Sequence, residues 1–256
     1  MSSDVNDMEH QASLWDHLSE LRTRLVRSTI YVIGGFVVCY AFVEQIFAVL
    51  ALPLTEVLPP GTTLIFKSYP AAFFTYLKLA LVSGLFLASP LVLYQIWAFI
   101  APGLYEHEKR LAMPFVILST LFFTGGAFFG YMFVFPAAFR FLAGYAGARL
   151  ELLPDVGEYF SLTIKLLLGF GFAFELPVFM VFLGLLGIVS TDMLKKNRKY
   201  AILVVFILAA ILTPTPDVIN QVLMAGPLLV LYEISIVALR LIKPEKPPEE
   251  TGEVDD

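Results

Sequence analysis

The chain has 256 residues, 58% of them hydrophobic and 15% charged, with a mean hydropathy of +0.79; soluble domains carry about 45–50% apolar and about 25% charged residues, so this is the composition of a membrane protein. The net charge of −5 argues against a nucleic-acid partner. The single cysteine, Cys39, excludes an intrachain disulfide or a thiol cluster, and His10, His17 and His107 are too few and too scattered for a zinc site or an axial haem pair, so no metal or cofactor is read here.

The first apolar segment lies behind about 24 polar-rich residues and has no A-x-A site after it, the pattern of a retained membrane helix rather than a cleaved signal. Within SLWDHLSELRTRLVRS, Leu14, Leu18, Leu21 and Leu25 recur at helical spacing. They predict an amphipathic helix that feeds into the first span, with Ser13 and Asp16 spaced as a capping box. The opposite face carries His17, Glu20, Arg24 and Arg27. It suits an interfacial helix at lipid headgroups, or a docking surface with Glu20 as its acidic contact.

A helix crossing the ~30 Å hydrocarbon core needs about 20 largely apolar residues. Six segments are predicted to cross, at 25–47, 73–99, 111–142, 159–189, 200–212 and 218–239. The fifth is only about 20 Å long at 1.5 Å per residue. It forms a tight hairpin with the sixth across TPTPD. The fold class is therefore all-α, a polytopic membrane protein with six transmembrane helices, the fifth and sixth short. One membrane domain over 1–256 is expected: a cytoplasmic amphipathic helix at 1–24, the membrane region at 25–240, and a Pro- and Glu-rich tail at 241–256 expected to be disordered.

Basic residues set the orientation. Arg22, Arg24, Arg27, Lys109, Arg110, Lys195, Lys196, Arg198, Lys199, Arg240, Lys243 and Lys246 fall on one side, which predicts that both termini are cytoplasmic. On the outer side, 48–70 mixes apolar residues with four prolines and predicts short elements on the membrane surface. Residues 143–158, with Arg149, Glu151, Asp155 and Glu158, look solvated.

Four places carry polar chemistry. FIAPGLYEHEKR follows the second span: Pro102-Gly103 forces a turn, and Glu108 can join Glu20 in one acidic patch suited to a basic peptide. GFAFELPV places Glu175 near mid-membrane, where a carboxyl must face a wet concave surface or stay protonated; Pro177 bends the helix there and frees the Ala173 carbonyl. Asp217 reads as an N-cap of the sixth helix, and Gln221 one turn on needs a polar partner, another chain being one option. A weak echo links GLFLASP (84–90) with GFAFELP (171–177), where proline bends two apolar helices. Serine nucleophile motifs, paired membrane aspartates and phosphate loops are absent from the sequence, and it does not read as an enzyme.

HLSELRTRL at 17–25, FIAPGLYEHEKR at 99–110, GFAFELPV at 171–178 and TPTPDVINQ at 213–221 together resemble the TatC family, the large subunit of the twin-arginine protein translocase. The resemblance covers about 14 to 240. It implies a receptor and core subunit that binds twin-arginine signal peptides of folded substrates on the cytoplasmic side. It further implies an oligomeric complex with single-span TatA- and TatB-type partners in the bilayer of the bacterial cytoplasmic (inner) membrane, driven by the proton-motive force. By the same resemblance the signal-peptide site comprises Glu20, Arg22, Phe99, Pro102, Leu104, Tyr105 and Glu108. Glu175 becomes the intramembrane polar site, Asp217 and Gln221 partner-helix contacts, and Pro53 a structural residue of the outer loop. Two rivals stand beside it: a proton-coupled transporter with Glu175 as carrier, and a passive scaffold that Glu175 locks.

Overall fold

The computed structural model describes residues 2–55, 64–100, 112–144, 154–213 and 218–241. Among these the chain is helical apart from turns and one isolated bridge. Five helical stretches are long and apolar enough to cross a bilayer: His17–Ala41, Tyr69–Ile100, Met113–Phe141, Val156–Leu185 and Val218–Leu241. The predicted tail, the 101–110 loop and Asp217 lie outside the described residues.

The chain forms two compact units, Met1–Phe170 and Gly171–Asp256. In the first, α1 (Ser2–Ala41) is one uninterrupted helix. Ser13 is therefore inside it and not at an N-cap, which corrects the capping-box reading. Leu18, Leu21 and Leu25 are exposed, as lipid-facing residues are, while part of the polar face turns toward α3 (Tyr69–Ile100). Water-soluble amphipathic helices do the reverse; in a membrane the apolar stripe has a solvent of its own.

The first span starts and ends earlier than predicted. It ends at a turn at Phe42, and α2 (Val43–Thr55) follows as a separate 13-residue helix. Pro53, expected in an outer loop, lies buried inside α2. Its missing N–H leaves the Val49 carbonyl without a helical donor. Tyr131 supplies one, its hydroxyl donating to Val49 O at 2.6 Å, and Tyr159 donates to the adjoining Leu50 O at 2.6 Å. Two tyrosines from later helices thus tie α2 down, Tyr131 through the carbonyl that the proline frees.

The other prolines follow the same rule with different outcomes. Pro90 sits within the unbroken α3, where the Ser89 hydroxyl donates to the freed Phe86 carbonyl at 2.7 Å. Pro136 has no N–H to close an ordinary turn, and a π-helical turn over Gly130–Val134 joins α4 (Ala112–Phe129) to α5 (Phe135–Gly144). There the Phe135 N–H reaches back to Gly130 O.

Ahead of α6 (Val156–Phe174), Ile65 bridges Asp155 in parallel: Ile65 N–H donates to Pro154 O and Val156 N–H to Ile65 O. Asp155 caps α6, accepting from the Glu158 N–H at 2.9 Å, and also accepts from the Lys67 N–H at 3.2 Å. The Lys67 ammonium bonds Glu158. The capping N–H of Glu158 is the main reason the Asp155 carboxyl is held below its usual range. The expectation that this stretch is simply solvated fails at Asp155, whose side chain is only 7% exposed.

The second unit contains the end of α6, α7 (Leu176–Leu185), α8 (Thr191–Lys196), α9 (Arg198–Leu212) and α10 (Val218–Leu241). Ser190 caps α8 through Met193 N–H. Val189, Leu194, Tyr232, Ile236 and Leu239 form its core, and the Tyr232 hydroxyl donates to Leu194 O at 2.9 Å. α9 has 15 residues, about 22 Å at 1.5 Å per residue, so this helix is short as predicted, whereas α10, expected to be short as well, has 24 residues and is long enough to span.

Candidate functional site

The first polar cluster lies where α1 meets the end of α3. His17, Glu20 and Arg24 follow at intervals of three and four, so they share one helix face. Phe99 and Gln95, four apart on α3, face them. The His17 imidazole stacks on the Phe99 ring, 4.4 Å between centroids and 22° between planes. Glu20 Oε1 accepts from Arg24 Nε at 2.8 Å and from Nη2 at 2.5 Å. Arg24 Nη1 also lies 3.5 Å from Gln95 Oε1, and Gln95 is only 4% exposed. Glu20 keeps 35% of its side chain exposed and Arg24 22%, so the pair sits at the rim of the helix contact and not in its core.

The cluster is anchored from behind. Trp97, two residues before Phe99, is buried, stacks on Phe115 at 4.7 Å, and donates from Nε1 to Ser119 Oγ at 2.9 Å. The end of α3 is thereby fixed to α4 just where the 101–111 segment departs. Of the residues predicted for this site, Glu20 and Phe99 are brought onto adjoining faces, and Arg22 is exposed on α1. Pro102, Leu104, Tyr105 and Glu108 lie outside the described residues. Sequence alone passes over Gln95 and places Arg24 on the charged face and among the orienting basic residues, without a partner. The signal was available: Arg24 is four residues from Glu20, the spacing of a helical ion pair.

Glu175 is the second feature. It occupies a helical turn between α6 and α7 with φ −69° and ψ −15°, half-buried, and Pro177 lies in the first turn of α7. Its N–H bonds Phe172 O at 3.1 Å, a tightened three-residue turn, and its carbonyl accepts from Phe179 N–H at 2.9 Å. The helix is therefore interrupted at the carboxylate itself, whereas α3 runs straight through the matching stretch that ends in Pro90. The echo between the two stretches does not extend to local structure. Glu175 is ten residues from both Lys165 and Leu185, about 15 Å along the axis either way.

The third feature is the α9–α10 hairpin. Gln221 Nε2 donates to the Phe206 carbonyl at 3.1 Å, so its amide has a partner within this chain. Beside it Asn220 is 1% exposed, a buried polar residue the sequence reading did not single out. Farther along, Arg198 Nη2 bonds Glu233 Oε2 at 2.7 Å.

These features define a multi-pass helical membrane protein whose polar groups mark helix rims, a broken helix and a hairpin. A model of the family "Sec-independent protein translocase protein (TatC)" matches residues 16–227. The chain is 47% identical over 250 residues to the Sec-independent protein translocase protein TatC of Desulforapulum autotrophicum, covering 97% of this chain and 92% of that one. It is 41% identical over 229 residues to the protein of that name from Escherichia coli K12, covering 90% and 88%. A crystal structure of the twin-arginine translocase receptor TatC superposes with a TM-score of 0.78 at 40% identity, over 88% of this chain and 98% of that one. The chain belongs to the TatC family, as the four motifs indicated. It is accordingly a component of a protein-transport system and not an enzyme.

Proposed function

We propose that this chain is the receptor and core subunit of a twin-arginine translocase, binding the signal peptides of folded substrates at the α1–α3 rim. The observation that supports this best is chemical: Glu20, on a partly exposed helix face beside Phe99, already accepts two hydrogen bonds from a guanidinium. A carboxylate so disposed suits the arginine of a peptide. Glu108 would complete the acidic site, with Arg22, Pro102, Leu104 and Tyr105 around it. The test is binding of a labelled twin-arginine peptide to the purified protein, against a twin-lysine peptide. A lysine presents one ammonium in place of the planar fork. Equal affinity for the two peptides refutes the reading.

In this reading the chain crosses the bacterial inner membrane six times with both termini in the cytoplasm, as one membrane domain, the short α9 being the fifth span. It works in an oligomeric complex with single-span TatA- and TatB-type partners, and the proton-motive force drives transport. Topology is checked in a Cys39→Ser background with an impermeant maleimide on intact spheroplasts. A cysteine at Ser68 labels, and one at Lys196 labels only after lysis. The opposite pattern inverts the proposed orientation.

Asp217 and Gln221 are assigned to contact with a partner helix, and Glu175 to a polar notch at the interrupted helix. The notch receives a partner helix or thins the bilayer locally during transport. Glu175→Gln keeps most of the export of a twin-arginine reporter, because an amide still forms hydrogen bonds. Glu175→Leu binds the signal peptide normally but exports poorly. Wild-type export by the leucine variant removes any role for the carboxyl.

A further inference from the structure

An ion pair at the rim of α1 has a consequence for how a ligand would gain access to Glu20. Arg24 spends Nε and Nη2 on a single oxygen of that carboxylate, at 2.8 and 2.5 Å, and its remaining nitrogen Nη1 points to Gln95 Oε1 at 3.5 Å. We infer that Arg24 is a built-in occupant of the peptide's arginine site, which an incoming arginine displaces from Glu20 onto Gln95. The inference rests on the reading of Glu20 as a signal-peptide contact and adds the competing group.

Three observations carry it. First, the chemistry of the occupant is the chemistry of the ligand. A guanidinium paired side-on with Glu20 is what a peptide arginine would form, so exchange replaces like with like at the carboxylate, and the displaced guanidinium passes to a neutral amide and to solvent. Second, the pair is accessible, with 22% of Arg24 and 35% of Glu20 exposed, so a ligand can reach the carboxylate without opening the helix contact. Third, Arg24 has somewhere to go. Gln95 is buried on α3, and its amide oxygen is already within reach of Nη1, so a released guanidinium closes onto it with a small side-chain movement. A buried amide oxygen is poorly hydrated and gains from a charged donor.

Competition of this kind sets a threshold. A ligand that needs both oxygens of Glu20, as a bidentate guanidinium does, must first displace Arg24 from Oε1, so affinities for all such ligands fall by one common factor. Ligands with weak contacts then stay unbound, while a well-placed arginine still binds.

The experiment uses the full chain in lipid nanodiscs and a fluorescein-labelled synthetic peptide with an Arg-Arg pair before an apolar segment. Arg24→Gln binds the peptide roughly two- to fivefold tighter than wild type, the range that loss of a partly exposed ion pair allows. The gain disappears when Glu20→Gln is added. Gln95→Leu weakens binding in the presence of Arg24 and has no effect in the Arg24→Gln background. If Arg24→Gln does not yield folded protein, Arg24→Lys, which keeps the charge and loses the fork, gives a smaller gain. Unchanged or weaker binding by the folded Arg24 variant overturns the inference and shows that Arg24 merely positions Glu20. If wild-type protein does not bind the peptide at all, the underlying receptor reading falls and the inference with it.

Discussion

Glu20→Lys binds a labelled twin-arginine peptide about ten- to a hundredfold more weakly than wild type, because a hydrogen bond to a charged group contributes roughly 1.5–3 kcal/mol. Glu108→Lys is expected to do the same. At position 20 two effects act together. The carboxylate that accepts the guanidinium is gone, and the new ammonium repels it. The reversal also sets Lys beside Arg24 at a spacing of four, where like charges destabilise a helix by only a few tenths of a kcal/mol. Folding is therefore retained, and thermal stability in detergent separates lost recognition from lost structure. A twin-lysine peptide is the second control. It makes no bidentate contact and feels only the change of charge, so its weak binding falls less than that of the twin-arginine peptide. If both peptides lose affinity equally, or the variant melts well below wild type, the loss belongs to the fold.

The extent of the helical membrane architecture was legible because a bilayer demands apolar length, and length is counted directly along the chain. The second, third, fourth and sixth spans were located to within a few residues. Where helices break was harder to see. Phe42, between α1 and α2, has no Gly or Pro beside it, so nothing local announces the turn there. Pro53 looked like a loop residue because proline usually ends helices; it is accommodated in α2 because Tyr131, more than seventy residues later, satisfies the carbonyl it exposes. That is tertiary information. Pro90 and Pro177 show the same limit. The two stretches are alike in sequence, yet Ser89 bridges the first and the second opens into a turn at Glu175. At the candidate site, Glu20 and Phe99 stood out by residue type and motif. The Arg24–Gln95 contact depends on which face of α1 meets which face of α3, and an apolar stripe alone does not say whether it faces protein or lipid.

Gly84→Leu leaves little or no monodisperse protein after detergent extraction. The reason lies in how closely α1 and α3 cross. A Cβ built on Gly84 falls 2.4 Å from Phe36 N and 2.6 Å from Gly35 C; one built on Gly35 falls 2.4 Å from the Gly84 carbonyl oxygen. Every one of these neighbours is backbone, so no side chain can rotate out of the way. Paired small residues permit such an approach in membranes, where helix association depends on van der Waals contact. This crossing belongs to the most extensive helix pair in the first unit, and it holds the same two helices that carry His17, Glu20, Gln95 and Phe99. Even Ala at either glycine must push the helices apart, at roughly the 1–3 kcal/mol of an overpacked core; Leu multiplies the displaced volume along a rigid contact. Gly34 supplies the control within the same dipeptide. It is exposed and a Cβ there meets nothing within 4 Å. Gly34→Ala is therefore neutral or stabilising, by about 0.5–1 kcal/mol from helix propensity, whereas Gly35→Ala lowers the melting temperature and weakens peptide binding together. Equal tolerance of alanine at 34 and 35 contradicts a backbone-to-backbone crossing and removes the reason for expecting Gly84→Leu to fail.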